Sequence, residues 1–133
     1  MSQENVAIIR LAYLNFQATG RFEAEVATPD FVWDMSHYAG WTEQQVYEGA
    51  EGAQSFFAEW TTAWDDWTIE VEELHDAGTR VVAVLRQRGR SKVSGIPLDQ
   101  PLAQVWTLRD GMLARANMYS DRREALEAAG LEP

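Results

Sequence analysis

Apolar and polar residues alternate through much of the second half of the chain. Thr68–His75, Thr79–Arg90, Pro101–Arg109 and Met112–Tyr119 each carry this period-two pattern between turn signals, which predicts four consecutive antiparallel strands. Asp110-Gly111 is the sharpest of those signals, because Asp-Gly suits a two-residue type I′ hairpin loop with positive φ at both positions. That loop pairs Arg109 with Met112 and extends a register along both strands. Leu108 then faces Leu113, Trp106 faces Arg115, Gln104 faces Asn117 and Leu102 faces Tyr119. The other face carries Val105, Ala116, Ala103 and Met118. A sheet apolar on both faces needs a cover on each: helices on one side and a candidate second subunit on the other.

The first half reads as helical. Val6, Ile9, Tyr13 and Phe16 form one stripe of a helix over 3–18, with Gly20 just past its end. Arg21–Ala27 suggests a short second helix stopped by Thr28-Pro29. Phe31–Ser36 is strand-like, and 37–48 is an irregular loop with Tyr38, Trp41 and Tyr47. A further helix is predicted over Glu51–Trp64, burying Ala53, Phe56, Trp60 and Trp64. The meander loses phase at Glu72-Glu73, which suggests a bulge. Asp121-Arg122-Arg123-Glu124 is a capping box for a closing helix, and Gly130 sits at its C-terminal cap. Helices first and a meander after them indicate α+β rather than a parallel α/β sheet. No linker or internal repeat divides 1–133, so one domain is expected.

Composition narrows the function classes. Six Trp in 133 residues is a high count, and two readings stay open: core and interface fillers, or aromatic walls around an apolar ligand. A formal net charge of −10 argues against nucleic acid as a partner. Cys is absent, which fits a reducing compartment. Met1-Ser2-Gln3-Glu4 lacks the basic and apolar regions of a signal peptide, and no apolar run reaches bilayer length. A cytoplasmic protein without a membrane partner is expected. His37 and His75 have no ligand-like spacing, so neither a metal nor another cofactor is expected. Four positive charges fall between Arg86 and Lys92, either as a solvated hairpin rim or to steer an anionic substrate.

An ordered set of short motifs then carries a resemblance. Tyr13 is followed seven residues later by Gly20, then come Pro29-Asp30-Phe31-Val32-Trp33-Asp34 and Tyr47-Glu48-Gly49 before a helix. Asp76-Ala77-Gly78-Thr79-Arg80-Val81-Val82, Val105-Trp106-Thr107-Leu108-Arg109-Asp110-Gly111 and Asp121-Arg122-Arg123-Glu124-Ala125-Leu126 follow. In this set the chain resembles the SnoaL-like branch of the nuclear transport factor 2-like superfamily, which includes ketosteroid isomerase. The resemblance implies a cone-shaped α+β barrel of the cystatin-like kind, with a curved antiparallel sheet wrapped around the N-terminal helix. It also implies a homodimer through the outer sheet face, covering Val105, Ala116 and Met118.

The same resemblance suggests chemistry. The oxyanion-hole tyrosine of ketosteroid isomerases matches Tyr13, and their late-strand acid falls on Gln104, whose NH₂ can still donate a hydrogen bond. Their general-base position falls near Met35, with Asp34 one residue earlier. Tyr13 is thus either a packed tyrosine or an oxygen donor to substrate, and Asp34 either a solvated carboxylate or a base. The hairpin register adds Trp106, Arg115, Asn117 and Tyr119 to Gln104 on the face assigned to the cavity, with Trp33 as a wall and His37 either at the mouth or in a surface or capping role. The expected ligand is a small, largely apolar organic molecule. Cofactor-free isomerisation, cyclisation, dehydration or epoxide hydrolysis is one expected function, and a non-catalytic binding or assembly module is the other.

Overall fold

The computed structural model describes residues 3–38 and 45–132. Helix α1 (Gln3–Thr19) buries Ile9 and Tyr13, and Gly20 ends it with a φ of 71° that few side chains tolerate. The expected second helix contracts to a single 3₁₀ turn at Ala24–Val26, because Ala27 and Thr28 are drawn into strand β1 (Ala27–His37). Pro29 is accommodated there because the ladder to the neighbouring strand breaks between Ala27 and Val32. Strand β2 (Val46–Glu48), helix α2 (Gly49–Thr62) and strand β3 (Trp64–Ala77) follow. Trp64 thus opens a strand instead of closing a helix. Trp41 lies outside the described residues.

Strands β4 (Arg80–Ser91), β5 (Pro97–Arg109) and β6 (Met112–Tyr119) complete the meander, and helix α3 (Arg122–Ala128) closes it. The expected bulge in β3 is present: the register with β4 slips between Val71 and Glu73. The six strands lie in the order β2-β1-β6-β5-β4-β3, forming a curved sheet that does not close. All pairings are antiparallel except β1 with β6, which is parallel. That pairing carries the first strand across the sheet to lie beside the last.

The Asp110-Gly111 loop forms as predicted, with φ of 53° and 77°, and Arg109 and Leu108 pair with Met112 and Leu113. The register then departs from a regular ladder. Thr107 pairs with Arg115, Trp106 with Ala116, Val105 with Asn117, Gln104 with Met118 and Ala103 with Tyr119. Ala114 is therefore the extra residue of a β-bulge, which exchanges the faces of everything after it in β6. Ala116 and Met118 join Trp106 and Leu102 in the concave core. Arg115, Asn117 and Tyr119 turn outward.

The outer face is covered by the chain itself. Val82, Val84, Ala103, Val105 and Tyr119 pack against Ala125 and Leu126 of α3, leaving Val105 only 5% exposed. Of the residues expected under a second subunit, Val105 is thus already covered by α3, and Ala116 and Met118 lie inside the cone. The docking of α3 depends on good ends. The Asp121 side chain accepts from the Arg123 N–H at 2.8 Å, and Gly130 at φ 81° lets the Leu131 N–H reach the Leu126 carbonyl at 2.8 Å. No helix among the described residues is long and apolar enough to cross a membrane.

Candidate functional site

Helices α1 and α2 cover the concave face without filling it. A cavity of about 230 Å³ remains, walled mainly by aromatic and aliphatic side chains such as Phe56, Phe57, Leu102 and Met118. Trp33, Trp60, Trp67 and Trp106 all line it while also belonging to the core or packing against it. Exposed Leu11 and Arg21 mark its mouth.

The polar end of the cavity is built from α1 and β5. Tyr13 reaches β5 because it lies on the buried stripe of α1. Its hydroxyl donates to Gln104 Oε1 and accepts from Trp106 Nε1 at 2.9 Å, with the two rings edge-on at 6.1 Å. Burial drives the Tyr13 phenol pKa far above its ordinary value, although the Trp106 N–H pulls the other way. Tyr13 is therefore a neutral hydroxyl at physiological pH. Gln104 is 2% exposed, and no hydrogen bond among the described residues uses its Nε2. Trp33, also 2% exposed, has an Nε1 with no hydrogen-bond partner among them.

A second polar group was not anticipated from sequence. Trp67 Nε1 donates to Gln87 Oε1 at 2.9 Å, and Gln87 Nε2 donates to the Tyr38 hydroxyl at 3.2 Å. All three side chains line the cavity. The available signal was Gln87 itself, a polar residue in phase with Val81, Ala83 and Leu85, the apolar concave positions of β4.

Other expected site residues lie elsewhere. Phe31, Trp33 and Met35 point into the core, so Asp34 between them points out. Its Oδ2 meets Arg115 Nη2 at 2.6 Å and its Oδ1 accepts from the Ser36 N–H at 2.8 Å. Burial raises the Asp34 pKa, but the Ser36 hydrogen bonds and the Arg115 charge outweigh it, leaving the carboxyl below its usual range. Arg115 Nε also donates to Asn117 Oδ1 at 2.9 Å. His37 stacks on Tyr119 with centroids 5.0 Å apart. Asp34, His37, Arg115, Asn117 and Tyr119 thus form an outer-face group, while Tyr13, Trp33, Gln104 and Trp106 meet at the cavity. One bulge and one strand's alternation separate the two sets.

The basic segment of β4 is largely paired across strands. Arg86 meets Asp99 at 2.7 Å, Arg88 meets Glu70, and Arg90 donates to the Gly95 carbonyl at 3.1 Å. These contacts fit a solvated rim.

The model of the SnoaL-like domain matches residues 12–116. The chain belongs to the SnoaL-like family. Solved structures agree on the fold. A protein from Catenulispora acidiphila with a ketosteroid isomerase-like fold, solved in complex with trimethylamine, superposes with a TM-score of 0.72 at 15% identity, over 93% of this chain and 92% of that one. A candidate SnoaL-like polyketide cyclase from a Jannaschia species gives 0.73 at 24% identity, over 98% and 94%. A nuclear transport factor 2-like protein from Burkholderia thailandensis gives 0.75 at 21% identity, over 96% and 97%. No curated protein matches this SnoaL-like chain in sequence.

Proposed function

We propose that this SnoaL-like protein binds a small, largely apolar organic molecule inside the cone. The observation that carries this reading is an aromatic-walled cavity of about 230 Å³ whose only charged lining residues, among those described, are Arg21 and Glu23. Such a space rewards apolar surface and fixes orientation through a few polar groups. Its volume suits a molecule of one or two rings. Asp34, the candidate base, sits across the sheet in an ion pair, so abstraction of a substrate proton by Asp34 finds no support in the geometry.

The test is a titration with naphthalene, read through tryptophan fluorescence because four indoles line the cavity. Saturable binding is expected, and Ala12→Trp, which fills the space from α1, should abolish it. Equal binding by Ala12→Trp places the ligand elsewhere. A homodimer through the outer face belongs to the same proposal, with its surface redrawn. The β1–β6 strip bearing Val32, Asp34 and Arg115 is outside the apolar patch under α3. Val32→Arg should then give monomers in sedimentation, and a persisting dimer would refute that surface.

A further inference from the structure

Helix α1 is apolar on two sides, and the chain covers only one of them. Ile9 and Tyr13 are buried against the sheet. On the opposite side, at the alternating four- and three-residue spacing that lines up along a helix, lie Ala7, Leu11, Leu14 and Ala18. All four are exposed, Leu11 by 57% and Leu14 by 56%. An amphipathic surface helix keeps such positions polar. The other exposed large hydrophobics, Val46, Val93 and Ile96, belong to no helix. The row also reads the same from either end, with its centre between Ala12 and Tyr13. A second α1 laid antiparallel across it about a two-fold axis therefore sets Ala7 against Ala18 and Leu11 against Leu14. The same symmetry sets Glu4, in the first turn, against Arg21, just beyond the terminating Gly20. Neither Glu4 nor Arg21 is in an ion pair among the described residues. An apolar centre with opposite charges at both ends is the make-up of an isologous interface.

We propose that this face of α1 takes a second copy of the chain, antiparallel and two-fold symmetric, and that the second copy's helix forms one rim of the cavity mouth. Leu11 belongs both to the row and to the cavity lining, with Ile8 and Asn15 beside it on the same flank of the helix. Leu14 of the second copy packs on Leu11 there, so association narrows the opening through which a ligand exchanges. That consequence rests on the cavity being the binding site, as proposed above; the helix pairing does not. Four short side chains and their flanks make a face well below the roughly 800 Å² per partner of a standard interface. The association is therefore weak and concentration-dependent. It is also separate from the sheet-face dimer, because α1 lies on the concave side and the β1–β6 strip on the outer one.

The chain has no Cys, so introduced thiols report the pairing without background. In the antiparallel pair Ala7 lies beside Ala18 of the second copy, while like positions are about 16 Å apart along the axis, beyond the reach of a disulfide. Under mild oxidation a mixture of Ala7→Cys and Ala18→Cys should form the mixed disulfide much faster than either variant cross-links to itself. Self-linkage at the same rate overturns the antiparallel pairing. Sedimentation gives the second reading, at physiological salt, where charges more than about 8 Å apart are screened. Val32→Arg, a monomer when dilute, should dimerise towards millimolar concentration. Adding Leu14→Glu should weaken that association by about tenfold or more, because a carboxylate is then buried without a partner. Glu4→Arg should weaken it too, and Glu4→Arg with Arg21→Glu should regain most of the loss. Association untouched by Leu14→Glu, or no recovery in the charge swap, overturns the interface. The cysteine mixtures leave Val32 intact and decide the matter should Val32→Arg not fold. Naphthalene release should slow as wild-type concentration rises and stay constant in Leu14→Glu. Release independent of concentration in both would separate the interface from the mouth. If naphthalene does not bind at all, the cavity reading fails, and the disulfides and sedimentation still decide the helix pairing.

Discussion

Asp34→Asn separates a structural carboxylate from a catalytic one. The amide can still accept from the Ser36 N–H, held at 2.8 Å, but it loses the charged bond of 2.6 Å to Arg115. A hydrogen bond to a charged group contributes about 1.5–3 kcal/mol. The Arg115 side chain is 42% exposed and can rehydrate, so the expected loss falls to about 1 kcal/mol. For a chain of this size that is a fall in Tm of about 3–5 °C. The pH dependence carries the sign. The folded-state pKa of Asp34 is depressed, so its stabilising contribution is present above the unfolded pKa of about 3.9 and lost as pH falls through the lower folded value. Thermal melts at a series of pH values should therefore show a gap between wild type and variant that is steady near neutrality and closes below about pH 4. Naphthalene binding should be unchanged throughout, because the carboxylate faces away from the cavity. A variant with wild-type stability and a tenfold loss of binding would refute the placement of Asp34.

The remaining predictions concern the frame around the cavity. Val105→Arg places a charge beneath α3 at a position 5% exposed and should cost about 3 kcal/mol or more; an unchanged urea midpoint would mean α3 does not dock there. At Gly89 an added Cβ would lie 3.2 Å from the Asp65 carbonyl oxygen and 3.3 Å from Trp67 Cα, both backbone atoms of the facing strand. Gly89→Ala should therefore cost about 1–2 kcal/mol and perturb the Trp67 fluorescence, with a wild-type melt and spectrum as the contrary result. Asp121→Ala removes the α3 cap and should cost about 1 kcal/mol, measured by urea unfolding; an unchanged midpoint would show that the cap contributes nothing.

What was legible in the sequence was whatever a local pattern dictates. Asp-Gly at 110–111 set a hairpin because the type I′ turn it favours, with two positive φ values, matches the twist of the flanking strands. The α3 helix was legible from its cap, and its C-terminal glycine from the αL geometry it adopts. The parallel pairing of β1 with β6 was not, because nothing within Ala27–His37 encodes a partner eighty residues away. Nor was it legible that α3 would fold back to cover Val82 and Val105: the sequence shows two apolar faces, but a helix in the same chain and a second subunit supply the same apolar cover. Of the residues singled out in the sequence, Tyr13, Trp33, Gln104 and Trp106 line the cavity, their facing being set by α1, β1 and β5 and not by the irregular strand β6.

The bulge at Ala114 decides the rest, and its energetic logic explains the cavity's character. A regular ladder would bury the Arg115 guanidinium and the Asn117 amide against an aromatic wall and turn Ala116 and Met118 outward. Taking an unpaired guanidinium out of water costs several kcal/mol, well beyond the disruption of one ladder position. With the extra residue inserted, Arg115 reaches Asp34 and Asn117 on the outer face, while Met118 packs inside opposite Gln104. The alternation of Trp33 and Asp34 in β1 expels the matching carboxylate by the same geometry, so the charges leave the interior as a pair. What stays behind is a largely apolar space with the hydrogen-bonded group of Tyr13, Gln104 and Trp106 at one end.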